Sequence, residues 1–224
     1  MQPQKSPNAR AFLLPLYFGN DTDKISAVIA EGHGSMRILG IDPGLATVGF
    51  GLIEYIEGEA GEVHFGHIST PSTQPMPERL RCIYREVKKL VSRFAPDIVV
   101  VEEIFFSKNR KTAIQVAQAR GVAILATADR GVALFEYTPM QIKQAVVGYG
   151  NASKRQVQQM VKALLKLKAV PTPNHAADAL AAAICHAQSL GPIRSLEASQ
   201  SAGRSAPQST QTDFRTSKAG EKRT

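Results

Sequence analysis

Residues 37–54 read "RILGIDPGLATVGFGLIE": an apolar run that reaches Asp42, breaks on Pro43 and Gly44, and resumes as a second apolar run. Proline has no amide hydrogen for a strand ladder, so the first strand has to stop at the aspartate. The two runs then fold back as neighbouring strands, 37–42 and 47–56, with a carboxylate at the end of the first. A strand-terminal Asp also caps turns through its own side chain, and this residue taken singly leaves both readings open.

Outward from this hairpin, "EVHFGHIST" at 62–70 alternates apolar and polar residues as a third strand does. A helix follows Pro77, with Leu80, Ile83, Val87, Leu90 and Val91 recurring at helical spacing. "PDIVVVEEIFF" contains the β-branched run Ile98 to Val101 expected of a strand buried on both faces. A second helix covers about 109–130, "GVALFEY" forms a fifth strand, and helices fill most of 139–189. The order β-β-β-α-β-α-β-α-α predicts an α/β protein: a mixed five-stranded sheet opening as a meander, with helices on both faces.

Composition bounds the alternatives. The 224 residues are 43% hydrophobic and 21% charged, which suits one globular domain with tails. No apolar run approaches the roughly 18 residues of a membrane helix, so no membrane association is expected. A net charge of +8 and a pI near 9.6 suit a polyanionic partner. Cys82 and Cys185 stand far apart, with no CxxC pair and no zinc-spaced histidines, as in a reduced cytoplasmic protein. Residues 1–35 contain an apolar octet, "AFLLPLYF", broken by Pro15. With Met36 directly before the first strand, they read as a disordered leader or an early start rather than a secretion signal. From 190 onward the chain is rich in Ser, Gln, Gly and Pro and carries six basic against three acidic side chains, as a disordered basic tail does. The domain between them spans 36–189.

A second carboxylate, Glu102, follows directly on Ile98–Val101. A carboxylate beside a core strand costs several kcal/mol unless it is paired or coordinated. A third stretch, "PTPNHAADALAAAICHA" at 171–187, has two prolines, a candidate N-cap in Asn174 and an alanine-rich helix able to lie close to a sheet. His175 and Asp178, three apart, share one face of its first turns. A dipole-complementing Asp beside a surface His would look the same in isolation. Neighbouring first and fourth strands would bring Asp42, Glu102, His175 and Asp178 to one pocket. Mutually repelling carboxylates with one imidazole call for a divalent ion, and oxygen-rich ligation suits Mg²⁺ or Mn²⁺. Two such ions, about 3.5–4 Å apart, clamp the attacking and leaving oxygens of a phosphodiester.

At these residues the chain resembles a known family. "ILGIDPG", "VVVEEIFFSKN", "QARGVAI", "QIKQAVVGYGNASKRQVQQMV" and "HAADALAAAI" are similar, in order, to the motifs of the RuvC family of bacterial Holliday-junction resolvases, which have a ribonuclease H-like fold. The resemblance covers about 36–189. It implies a crossover junction endodeoxyribonuclease active in recombination and repair, in which Asp42, Glu102, His175 and Asp178 form the metal-binding and catalytic set. It implies a homodimer, four-way junction DNA as substrate, about two Mg²⁺ per subunit with Mn²⁺ able to substitute, and a branch-migration motor as partner. Some members carry Asp at the position of His175. The imidazole removes one negative charge and is expected to make activity more dependent on pH near about 6 to 7.

Beyond Glu102, Phe105 and Phe106 stand beside Lys108 in "EIFFSKN". An aromatic there can stack on an unpaired base, and core packing is the competing role; the resemblance favours Phe105 as the base contact. Ser153 and Gln156 form a capping box. Lys154 and Arg155 lie in the following first turn, where the helix dipole disfavours cations unless a phosphate is present. With Lys143 they are candidate phosphate contacts, against the alternative of a solvated basic face. The small residues of the helix after Glu102 suit a tight C2 interface. Three rival functions are weaker. Actin-like and sugar-kinase ATPases need two such halves, and no Walker motif is present. A noncatalytic nucleic-acid module would not need all four candidate ligands. Another branched-DNA nuclease on the same fold differs only in substrate.

Overall fold

The structure is a computed structural model that describes residues 35–56, 59–104 and 110–204, with side chains described throughout except at 110–111 and 191–204. Five strands, β1 (Ser35–Asp42), β2 (Thr47–Ile56), β3 (Glu59–Ser69), β4 (Ile98–Glu102) and β5 (Ala133–Tyr137), form one sheet in the order β3-β2-β1-β4-β5. The meander β1-β2-β3 is antiparallel, while β1, β4 and β5 run parallel. β1 is therefore central, and Ile41 registers with Val101 of β4.

Strand alternation assigns each face a core. Leu39, Ile41, Val99, Val101 and Leu134 pack against α1 (Met76–Phe94) and α2 (Arg110–Ala128). Ile38, Ile98, Val100 and Phe135 face α3 (Pro139–Val147), α4 (Lys154–Leu164) and α5 (Asn174–Arg204). The expected α/β sheet with helices on both faces is thus present. Two differences have local causes. Three helices follow β5 where the pattern predicts two, because Thr138 and Gln141 form a second capping box and Gly148, at φ 93°, ends α3. Asn174 is the first residue of α5, and its Oδ1 accepts from Gln158 Nε2 at 3.0 Å instead of capping the helix.

α5 lies unusually close to the sheet. A Cβ on Gly40 would stand 1.9 Å from the carbonyl oxygen of Ala179, and one on Gly49 would stand 2.0 Å from that of His175. No side chain fits at either position. The alanines at 176, 177, 179 and 181–183 complete this contact from the helix side, each nearly inaccessible to solvent. A compact unit closes at Gly191; from Pro192 the chain forms a second unit whose backbone is helical through Arg204, where an irregular tail is expected from residue 190. Its Leu, Glu, Ala and Arg residues favour helix. Residues 1–34 and 205–224 lie outside the described set. Among the described residues no helix is long and apolar enough to cross a membrane.

Candidate active site

Asp42 and Glu102 are the last residues of two adjacent parallel strands, each one step beyond the Ile41–Val101 pair. Both side chains fall on the α5 side by alternation. The turn after Asp42 is fastened from below. Thr70 Oγ1, buried, donates to the carbonyl of Leu45 at 2.5 Å, and Arg79 Nε donates to the same hydroxyl at 3.0 Å. Gly40 and Gly49 admit the start of α5, which brings His175 and Asp178 to the strand ends.

His175 Nδ1 lies 2.6 Å from Asp42 Oδ2. Lys154 Nζ donates to Asp178 Oδ2 at 2.6 Å. Asp42, His175 and Asp178 each offer a ligand atom, and these atoms lie within 4.8 Å of one another. Glu102 lines the same cleft, of about 400 Å³, without joining that close triplet. Lys143, Lys154, Ile142 and Val157 complete the walls.

The electrostatics follow from burial and crowding of like charge. Desolvation, reinforced by Asp42 and Asp178 and opposed by Lys154 and Lys143, pushes the Glu102 carboxyl up to about 7. Burial also raises Asp178, against the pull of Lys154. The hydrogen bond to Asp42 raises His175, with burial opposing it. Each of these groups is more comfortable protonated than an isolated one. A divalent cation reverses that preference, since carboxylate and neutral imidazole are the ligating forms. Three carboxylates and one imidazole around an open cleft fit a hard cation with room for solvent or phosphate oxygens. The donor set therefore fits the expected metal.

Of the candidate DNA contacts, Lys143 and Lys154 reach this cleft. Arg155 does not: it lines a separate groove with Tyr149 and Gln156. The capping box at Ser153 and Gln156 is formed, with Ser153 N donating to Gln156 Oε1 at 2.8 Å. Phe105 and Lys108 lie outside the described residues. Two charged residues near the site went unnoticed in the sequence. Arg120 of α2 pairs with Glu136 of β5, which is only 5% exposed. The glutamate interrupting apolar "ALFEY" was the available signal, because a carboxylate in a buried strand demands a cation.

The family model described as crossover junction endodeoxyribonuclease RuvC matches residues 38–186. A curated relative of that description from Alkaliphilus oremlandii is 55% identical over 152 residues, covering 68% of this chain and 93% of its own length. Another from Finegoldia magna is 52% identical over 151 residues, covering 67% and 92%. Among solved structures, Thermus thermophilus RuvC in complex with Holliday junction substrate superposes with a TM-score of 0.64 at 39% identity, over 68% of this chain and 93% of that one. A yeast mitochondrial Holliday junction resolvase, 12% identical with a TM-score of 0.50, shares the fold over 80% of this chain and 92% of its own.

Proposed function

Because the chain belongs to the RuvC family of crossover junction endodeoxyribonucleases, we propose that it resolves four-way junctions by paired symmetric nicks, using Asp42, Glu102, His175 and Asp178 as its metal-binding and catalytic set. It is a nuclease of DNA recombination and repair, a hydrolase that breaks one phosphodiester P–O bond as a P–O bond to water forms. The observation that carries the residue assignment is the convergence of three ligand-bearing side chains from β1 and the first turns of α5, with Glu102 on the wall beside them.

Divalent metal in this cleft, Mg²⁺ or Mn²⁺ and about two ions per subunit in our reading, supplies charge neutralisation and an activated water. The protein's share is placement. Asp42 is held at the end of the central strand, where its partner strands and the Thr70-pinned turn leave it little freedom. Asp178 and His175 are held by a helix that cannot move toward or away from Gly40 and Gly49 without clash or void. Lys143 and Lys154 supply positive charge at the cleft mouth for the phosphate on either side of the scissile bond. Lys154, half exposed and bound to Asp178, is placed to exchange that carboxylate for a phosphate when DNA and metal enter.

Two symmetric nicks require two sites related by a two-fold axis. On α2, Ile114, Ala117, Gln118, Gly121, Leu125 and Ala128 are all exposed at helical spacing, and Ile114 and Leu125 are more than half accessible. This stripe, small or apolar except at Gln118, supports a homodimer through α2. A cytoplasmic location and a branch-migration motor as partner belong to the same reading. The test is cleavage of a labelled synthetic four-way junction against matched linear duplex, with Mg²⁺ and with EDTA. Paired nicks confined to the junction and to Mg²⁺ are expected. Junction binding without nicks would instead mark a noncatalytic module, and equal cutting of both substrates a general nuclease.

A further inference from the structure

The "QARGVAI" segment of α2 touches the site from behind. Val101 and Glu136 are register partners, so the Glu136 side chain lies on the same sheet face as Val101, opposite the face that carries the side chains of Asp42 and Glu102. Arg120 meets Glu136 there through Nη2. From the same fork, Arg120 Nε donates to the carbonyl oxygen of Glu102 at 3.3 Å. The amide of Glu103 belongs to the same peptide plane, and it donates to the carbonyl of Tyr137 at 2.9 Å. Both ends of the peptide that follows Glu102 are therefore tied, one to α2 and one to β5.

We infer that Arg120 is a positioning residue for the metal centre: anchored on Glu136, it fixes the Glu102–Glu103 peptide and thereby the direction in which the Glu102 carboxylate enters the cleft. Guanidinium is suited to this because its planar fork makes two bonds at a fixed angle, which an ammonium cannot reproduce. Beyond Glu102 the amide of Glu103 is the last tie to β5, so without Arg120 the peptide is held at one end only and can pivot about that bond, carrying the carboxylate with it. Burial favours the neutral form of Glu136 while Arg120 opposes this, consistent with an anchor whose two halves depend on each other.

This inference rests on the metal-centre reading above. The test titrates Mn²⁺ into the full-length protein without DNA, followed by electron paramagnetic resonance, for wild type, Arg120→Lys, and the double variant Arg120→Met with Glu136→Leu. Arg120→Lys keeps a cation for Glu136 and loses the fork. The double variant leaves no lone buried charge and so keeps the fold. Thermal unfolding is recorded for each. Both variants are expected to unfold near the wild-type temperature, to bind Mn²⁺ about tenfold or more weakly, as for other residues that orient metal ligands, and to need correspondingly more metal for half-maximal junction cleavage. Wild-type Mn²⁺ affinity in a folded Arg120→Lys or double variant would overturn the inference alone. Wild type that binds no Mn²⁺ would overturn the metal-centre reading and the inference with it.

Discussion

Asp42 and Glu102 end neighbouring parallel strands at the same level, one residue past the Ile41–Val101 pair, and both face the first turns of α5. This one relationship accounts for the chemistry of the cleft. Desolvated and set beside the Asp42 carboxylate, Glu102 resists ionising unless a cation enters the cleft.

The first consequence is a pH-dependent metal affinity. With Glu102 lifted to about 7, it binds a cation only after losing a proton. Mn²⁺ affinity measured by calorimetry should be roughly tenfold weaker at pH 6 than at pH 8, with proton release on binding. Glu102→Gln should lose most of the affinity and the share of its pH dependence that Glu102 contributes, leaving the share due to His175.

The same shift makes a stability prediction in the metal-free protein. A carboxyl whose folded pKa exceeds its usual 4.5 imposes no penalty below that value, and a penalty that grows until pH passes about 7. Glu102→Gln should therefore stabilise the metal-free protein by about 1–3 kcal/mol at pH 8 and leave it unchanged near pH 4, as urea denaturation would show.

His175 carries the opposite sign. Its pKa is raised by Asp42, so its pairing energy is present below the ordinary value near 6.5 and fades as pH rises through the raised one. Ligation needs the neutral ring, so junction cleavage should fall on acidification, and the fall should begin above the ordinary imidazole value near 6.5 because the pKa is raised. His175→Asp should flatten that limb; an unchanged pH–rate profile would count against a role for the imidazole.

Lys143→Ala and Lys154→Ala should each weaken junction binding in EDTA and reduce the slope of log affinity against log salt by about 1. Filter binding or anisotropy over a salt series measures this. Normal binding by both variants would remove these lysines from the DNA path. Arg155→Ala, outside the cleft, should affect binding less.

Gly40→Ala and Gly49→Ala should be costly, about 3 kcal/mol or more, because the added methyl meets backbone carbonyl and has no side chain to push aside. Any folded fraction should have α5 displaced and should bind Mn²⁺ weakly. Denaturant melts and metal titration together separate the two effects.

Much of this arrangement was legible in the sequence because it rests on short-range rules. Strand alternation, Pro43, the apolar run before Glu102 and the alanines after His175 each point to one local geometry, and the β1–β4 pairing that joins them is what the element order permits. The glycines at 40 and 49 were visible without a reason, since their role is set by a helix more than a hundred residues away. Arg120 and Glu136 stand only 16 residues apart, yet pairing them needs the packing of α2 on β5, and the one signal in the sequence was a glutamate inside apolar "ALFEY". Arg155 was grouped with Lys154 by sequence adjacency, yet one residue on a helix rotates a side chain by about 100°, which carries it to another groove.

The most direct test of the central claim is anomalous diffraction from crystals of the wild-type protein soaked in Mn²⁺. The account predicts anomalous density in the cleft bounded by Asp42, Glu102, His175 and Asp178, with the Lys154 ammonium withdrawn from Asp178. Full Mn²⁺ occupancy elsewhere with this cleft empty, or an undisturbed Lys154–Asp178 pair, would contradict it.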